Sequence, residues 1–447
     1  MVAELIEALR EDPLVLEDLF TLLRFKSMST EPKSLDECAL WLKGRISDMG
    51  MSVELIATEG APIVVASNRS APGRPTLLLY NHYDVQPVDP LSEWNSDPFS
   101  PLVKDGHIFA RGAQDNKGQL AFVLAALRHM HRRGPLPCNV VWVIDGEEET
   151  GSPQLARLLP DLGELLWADD LLIVDGGIPS LDQPMVELGA RGIASLKLMV
   201  EGSGTDLHSG QLGGLAYNPL RAACELCSTL WNRDGSVAVD GFYDDCKAID
   251  PQLAEQLHPG LSEAELMEHF GVLPTGGEKG LAINQRNWLR PCLEINGISG
   301  GYTGEGFKTV IPAKVCVHLS ARLVPDQQPH QIAAHITKHL EKHCPPGIHI
   351  AVSEGHGGLP LMGNPKGWLT QAASRAYEDV LGHRCALGLT GGSLPVCALL
   401  AQVSGAQPLV VGFGLPTDRI HAANEHFSVE RVILGAAWLQ HVISLYH

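Results

Sequence analysis

The sequence predicts an α/β protein: a mostly parallel sheet with helices on both faces, and a smaller α+β domain inserted into it. Three observations predict this. Short runs that are apolar throughout, at residues 77–80, 140–144, 171–174 and 408–412, stand between segments of helical periodicity; such strands belong to a sheet buried on both faces. Between about residues 190 and 354 the strands alternate instead, as 315–323 does, so one of their faces meets solvent. The 447 residues also exceed what one core comfortably holds. The expected domains are 1–189 together with 355–447, and an inserted unit at 190–354.

In chain order, residues 3–26 and 34–49 carry helical periodicity, the second closed by Gly50. Strand character follows at 53–57, 62–66 and 76–80. Residues 116–133 read as a helix stopped by Gly134-Pro135. The apolar strands 140–144 and 171–174 come next. Past Gly189 the looser strands 194–200 and 315–323 lie among helical segments at 217–231 and 328–343. The buried type of strand returns at 408–412, and a last helix fills 428–445. Residues 235–278 are acidic and irregular and carry no assigned element.

Composition narrows the class. The balance of 45% hydrophobic and 19% charged residues is that of a folded soluble protein. A net charge of −19 repels a phosphate backbone, which excludes nucleic acid as a partner. No apolar run approaches the ~20 residues that span a bilayer, so no membrane partner is expected. The start, MVAELIEALREDP, lacks a basic segment followed by an apolar core and is not read as a signal peptide. The ten cysteines are scattered, as free thiols are in a reducing compartment, so a cytoplasmic location is expected. Cys224 and Cys227 have metal-site spacing without a second pair and read as one face of a helix.

The polar residues that follow the apolar runs carry the chemistry. The run 77–80 leads to His82 and Asp84. The run 140–144 leads to Asp145-Gly146-Glu147-Glu148-Glu149-Thr150-Gly151-Ser152. The run 171–174 leads to Asp175-Gly176-Gly177, and 408–412 leads through a loop to His421. Ligands of open α/β sheets bind beyond the carboxyl ends of the strands. Four such endings, with Asp115, therefore converge on one sheet edge. Two divalent cations a few ångströms apart repel each other and require anionic ligands, one of them bridging. Two histidines and three carboxylates supply that set and leave positions open for water. Asp84 is placed to hold the second ring nitrogen of His82, on the same strand face if the strand continues. Each residue alone has a plain structural alternative: His82 as a hydrogen-bonded histidine, the acidic triplet as a helix start, Asp115 as an N-cap, and Asp175-Gly176-Gly177 as a turn.

Taken together, the motifs resemble the aminoacylase/carnosinase/carboxypeptidase G family of di-metal exopeptidases and amidohydrolases. They are Asn81-His82-Tyr83-Asp84-Val85-Gln86-Pro87, Glu93-Trp94 with Asp97-Pro98-Phe99, Arg111-Gly112-Ala113-Gln114-Asp115-Asn116-Lys117-Gly118, Glu147 to Ser152, and Thr390-Gly391-Gly392-Ser393-Leu394-Pro395. The first is most similar to the cytosolic dipeptidase branch. The resemblance implies that His82 and Asp175 hold one metal and Glu149 and His421 the other, with Asp115 bridging. It implies that Asp84 orients His82 and that the Asp115-Asn116 peptide is cis. The sequence alone leaves the register of the triplet open; the family's two acids directly precede a small residue, Gly and Ser, so with Thr150-Gly151-Ser152 the resemblance implies Glu148 as general base, Glu149 as ligand and Glu147 as bystander. Asp206-Leu207-His208-Ser209-Gly210 resembles the motif whose histidine acts on the partner subunit's site as an oxyanion donor. Thr309-Val310-Ile311-Pro312 and Arg322-Leu323-Val324-Pro325 resemble segments that grip a substrate carboxylate, a task that suits a guanidinium. The resemblance implies the same target for Gly392 and Ser393, whose backbone donors stand at a loop-to-helix start.

The expected protein is a homodimeric hydrolase of dipeptides or short peptides with two divalent ions, zinc or manganese. The alternatives are an N-acyl amino acid amidohydrolase with the same metals, a carboxypeptidase acting on longer peptides, and a non-catalytic metal- or peptide-binding protein.

Overall fold

The computed structural model describes residues 2–446. Among them, the larger sheet has nine strands. Eight follow the order Ser52–Ile56, Ile63–Asn68, Asn139–Asp145, Thr76–His82, Asp170–Val174, Gln407–Val411, Met185–Ala190 and Leu361–Met362, and the ninth, Ala386–Thr390, pairs with Met185–Ala190. The four central strands, Asn139–Asp145 to Gln407–Val411 in that order, run parallel, so their carboxyl ends share one edge. Thr76–His82 and Asn139–Asp145 are buried at every position. Their side chains alternate between two cores, with Leu77 and Leu79 on one face and Leu78 and Tyr80 on the other. The first face packs under Leu14–Arg24, Lys117–Arg133, Trp368–Leu381 and Val429–Leu445. The second packs under Pro153–Leu158 and Pro395–Ser404.

The first helical segment is two helices rather than one. Val2–Glu11 ends before Pro13 and Leu14–Arg24 begins after it. Proline has no N–H to give, and Asp12 Oδ1 takes the N–H of Leu14 at 3.1 Å.

The smaller sheet has the order Cys292–Gly300, Lys314–Leu323, Gly192–Glu201, His349–Gly358, all antiparallel. Lys314–Leu323 alternates between buried and more exposed positions. Its buried face packs against Pro219–Ser228 and Pro329–His343. The strand His349–Gly358 runs past position 354, with a register shift against Gly192–Glu201 between Glu354 and Gly357. The irregular stretch holds two short helices, Pro251–Gln256 and Glu263–Phe270. At six and eight residues, they are too short for periodicity to reveal. This stretch leans on the larger core: Leu257 belongs to it, and the His258 N–H donates to the Leu387 carbonyl at 2.7 Å.

Candidate metal centre

The parallel strands deliver their terminal residues to one place. His82 ends its strand, Asp175 follows directly on Asp170–Val174, and the loop after Gln407–Val411 brings in His421. The donor atoms form two groups, His82 with Asp115 and Asp175, and Asp115 with Glu149 and His421, each within 4.8 Å. His82 Nε2 lies 3.1 Å from Asp115 Oδ1 and 3.5 Å from Asp175 Oδ1. His421 Nε2 lies 2.9 Å from Asp115 Oδ2 and 3.3 Å from Glu149 Oε2. Asp115 therefore offers a different oxygen to each group.

Asp84 reaches His82 by a route the strand pattern does not give. The strand ends at His82, where the Tyr83 N–H donates the last ladder bond to the Asp145 carbonyl at 2.8 Å. Asp84 Oδ1 is then 3.2 Å from His82 Nδ1. The same carboxylate accepts the N–H groups of Glu148 at 3.1 Å and Glu149 at 3.0 Å, so it also fixes the acidic triplet. Glu147 is not in the centre, because its carboxylate accepts from Ala61 N and Gln154 N, each at 3.2 Å. Gln86 Nε2 donates to Glu149 Oε2 at 2.7 Å.

Asp115 does not cap the following helix. The residue flanking Lys117–Arg133 is Asn116, and the Asp115-Asn116 peptide is cis. Asn116 Nδ2 donates to Val174 O at 2.9 Å and Asp175 Oδ1 at 2.7 Å. Asn81 Nδ2 donates to Asn116 Oδ1 at 2.6 Å, and Trp142 Nε1 donates to Asn81 Oδ1 at 3.0 Å. From the other side, buried Glu425 accepts the N–H groups of Gly112, Gln114 and Asp115 at 2.8, 2.9 and 3.0 Å. Arg111 Nη1 completes that site at 2.7 Å. Sequence reasoning gave no role to Asn81, Asn116, Trp142 or Glu425. The asparagines stood inside the quoted motifs, but nothing local joins Glu425 to a loop more than three hundred residues earlier.

The electrostatics ask for cations. Burial pushes Glu148 up to about 8; His82 opposes this, and Asp175, Glu149 and Asp115 add to it. Burial raises Asp175 against the pull of His82. Burial works against a charged His82, yet Asp175 and its hydrogen-bonded carboxylates hold it far above the ordinary imidazole range. Asp115 sits below the ordinary carboxylate range: burial opposes this, and His421 and His82 prevail. Five carboxylates, those of Asp84, Asp115, Glu148, Glu149 and Asp175, face only two imidazoles. Buried Glu149 Oε1 has no hydrogen-bond partner among the described residues. A buried acceptor left alone costs about 1–3 kcal/mol, more when charged. Nitrogen and oxygen donors with that residual negative charge fit a pair of divalent cations.

A cavity of about 660 Å³ opens over the centre, lined by Asp115, Glu148, Asp175 and His421 and, further out, by Gly392 and Ser393. Arg322 stands one residue behind, donating from Nη1 to Ser393 Oγ at 2.7 Å. His208 and Thr309 do not line this cavity within the chain. They sit on a small ribbon where Leu207–His208 pairs with Val310–Ile311 and the Ser209 N–H meets the Thr309 carbonyl at 3.1 Å. There His208 is exposed, and its Nδ1 accepts only from Gly210 N at 3.0 Å.

Residues 78–445 match the model of peptidase family M20/M25/M40. The chain is 30% identical over 383 residues to the Cys-Gly metallodipeptidase dug1 of Schizosaccharomyces pombe, covering 84% of this chain and 80% of that one. It is 30% identical over 387 residues to the Beta-Ala-His dipeptidase of Rattus norvegicus, covering 84% and 78%. The M20 family metallo-carboxypeptidase Sso-CP2 from Sulfolobus solfataricus has a similar structure, with a TM-score of 0.85 at 30% identity over 97% of this chain and 99% of that one.

Proposed function

The chain belongs to peptidase family M20/M25/M40, and on that premise we propose that it is a metal-dependent dipeptidase. One observation carries the reading: two ligand groups share Asp115, with Glu148 beside them at the cavity wall. His82 and Asp175 would hold one cation, Glu149 and His421 the other, and Asp115 both. Zinc or manganese suits these donors. When bound, such a pair polarises the scissile carbonyl and lowers the pKa of a water toward neutrality. The protein's part is positional. Glu148 takes the proton of the attacking water and delivers it to the leaving nitrogen as the C–N bond breaks, giving a carboxylate and an amine. Asp84 fixes the ring of His82 and, through the backbone, the position of Glu148.

The substrate carboxylate would rest on Gly392 and Ser393, with Arg322 behind Ser393. Residues 190–354 would form a lid and dimerisation domain, bringing His208 and Thr309 of one protomer to the cavity of the other. Exposed Leu215, Ile295, Ile298, Tyr302 and Phe307 on that domain support a homodimer, since apolar surface of this kind marks an interface. All ten cysteines are free thiols, which suits work in the cytoplasm. No helix of the described residues is long and apolar enough to cross a membrane.

The test is amine release by metal-loaded enzyme from an L,L-dipeptide and from its N-acetylated twin, each with a chelator control. Chelator-sensitive cleavage of the free dipeptide alone is expected. Removal of the acetyl group would move the protein to the amidohydrolases, and metal binding without hydrolysis of either would sink the enzyme reading. The likeness to Sso-CP2 favours a carboxypeptidase as the second reading. Release of the last residue from an N-blocked tripeptide as fast as from the dipeptide would select it.

A further inference from the structure

The mechanism leaves one carboxylate of the cavity unused. Glu187 lies in the strand Met185–Ala190, where Val186 and Leu188 face the first core. Alternation turns Met185 and Glu187 to the opposite face, and both line the cavity. Glu187 pairs across the sheet with Gly388 on one side and on the other with Val410, which lines the same cavity. The Glu187 carboxylate has no hydrogen bond or ion pair among the described residues. The same cavity wall carries apolar Ile178, Met185, Leu266, Trp288 and Leu394 beside polar Asn284, Asn287 and Thr390. His258 also lines it, with Nδ1 engaged by the Gly260 N–H at 3.1 Å. Burial, with the charge of Asp175 adding, pushes Glu187 up to about 8. A lone carboxylate taken out of water is costly unless something pairs with it.

We infer that Glu187 is a specificity residue that receives the basic side chain of a dipeptide, its apolar neighbours taking the methylene stem. This deepens the dipeptidase reading and rests on it. Register decides between the two cations such a substrate carries. Val410 pairs with Ile173 on the far side, and Asp175 lies two residues beyond Ile173. Glu187 is thus two strands from the ligand strand, about 10 Å at ordinary spacing. An α-amino nitrogen is two bonds from the scissile carbon, within about 2.5 Å, and stays beside the metal centre. A lysine-type cation lies about 6 Å beyond its own Cα and spans the gap. Long cationic side chains commonly bury the stem on apolar surface while the charged head finds a polar partner.

The experiment compares lysine-containing dipeptides with their norleucine isosteres, the basic residue placed on either side of the scissile bond, using metal-loaded wild-type and Glu187→Gln enzymes. The wild type should prefer lysine at one of the two positions by at least about tenfold in kcat/KM. Glu187→Gln should bring that ratio near one, chiefly through KM, and cleave the norleucine peptide within about threefold of wild type. Glu187→Asp, which keeps the charge, should retain part of the preference. Uncleavable ketomethylene isosteres of the same peptides give the comparison by calorimetry, so the pocket is read even if turnover is absent and the dipeptidase reading fails. A wild type indifferent to lysine at both positions, or a preference that survives Glu187→Gln, would overturn the inference.

Discussion

Adjacent glutamates in one turn have different work because their surroundings differ. Glu148 lines the cavity, whereas Glu147 turns away to hold two backbone N–H groups. Glu148→Gln should lower kcat by about 10²–10⁴-fold, the usual worth of a positioned general base, and leave metal binding by calorimetry intact. Glu147→Gln should do the reverse: kcat within a few-fold of wild type and a loss of about 1–2 kcal/mol in urea unfolding, since a charged acceptor becomes neutral. Near-wild-type turnover by Glu148→Gln would remove it as the base. Glu187 carries a pH signature of its own. Its folded carboxyl titrates at about 8 against an ordinary value of 4.5, so the folded chain keeps a proton that the unfolded chain gives up. Stability is then full below about pH 4 and drains as pH rises toward 8, because the unfolded chain binds fewer protons there. Glu187→Gln should therefore unfold at a higher temperature than wild type at pH 8.5 and at the same temperature at pH 4.5, both proteins metal-free. The residues of the centre were legible because each closes an apolar run or stands in a motif. Glu187 was not: a single acid inside a strand reads as a solvent-face residue until the sheet shows a cavity there.

Elements were legible where periodicity had room to act. Six of the nine strands of the larger sheet and the helices Lys117–Arg133 and Val429–Leu445 fall within two residues of their expected ranges, whereas Met185–Ala190, Leu361–Met362 and Ala386–Thr390 had no expected range. Loops were opaque, because what holds them lies elsewhere in the chain. The loop bearing His421 is an example. It carries positive φ at Arg419, His421 and Asn424, an uncommon conformation for residues with a side chain. It is tied down by buried Asp418, which accepts from Arg431 Nη1 and Nη2, each at 2.6 Å, and from the Leu415 N–H at 2.7 Å. Arg431 Nη1 also donates to the Phe413 carbonyl at 2.9 Å, joining the loop to the last helix at two points. Asp418→Asn leaves a buried guanidinium without its counter-charge, which costs about 3–5 kcal/mol. It should also free the loop and weaken metal binding by about 10–100-fold, the usual scale for partners that aim a ligand. Urea unfolding and metal titration check the two effects separately. An unchanged metal affinity would mean that Asp115 and Glu149 alone hold His421 in place.

At the scale of the whole molecule, the two sheets divide the labour unevenly. The larger brings His82, Asp115, Glu149, Asp175 and His421 to one edge, so a single protomer holds both candidate ligand groups. The smaller carries His208 and Thr309 on a ribbon outside the cavity of its own chain. Sequence alone names these residues by resemblance and says nothing of their distance, since separation along the chain does not fix separation in space. The exposed imidazole of His208 caps the turn Ser209–Leu212 through Nδ1 and leaves Nε2 unengaged among the described residues, which fits service to a second protomer. The consequence is open to complementation. On the proposed shared-site dimer, Glu148→Gln and His208→Ala proteins should both be inactive, each lacking one half of every site. In a mixed dimer, the site built on the His208→Ala protomer keeps Glu148 and receives the other protomer's intact His208, while the second site lacks both. Random pairing of equal amounts makes half the dimers mixed, with one good site in two, so recovery should approach about a quarter of wild-type activity. Recovery should grow at the rate of subunit exchange, followed with protomers carrying two different fluorophores. Complete exchange without recovery would place the work of His208 inside its own chain, and the lid would then have to close over its own cavity.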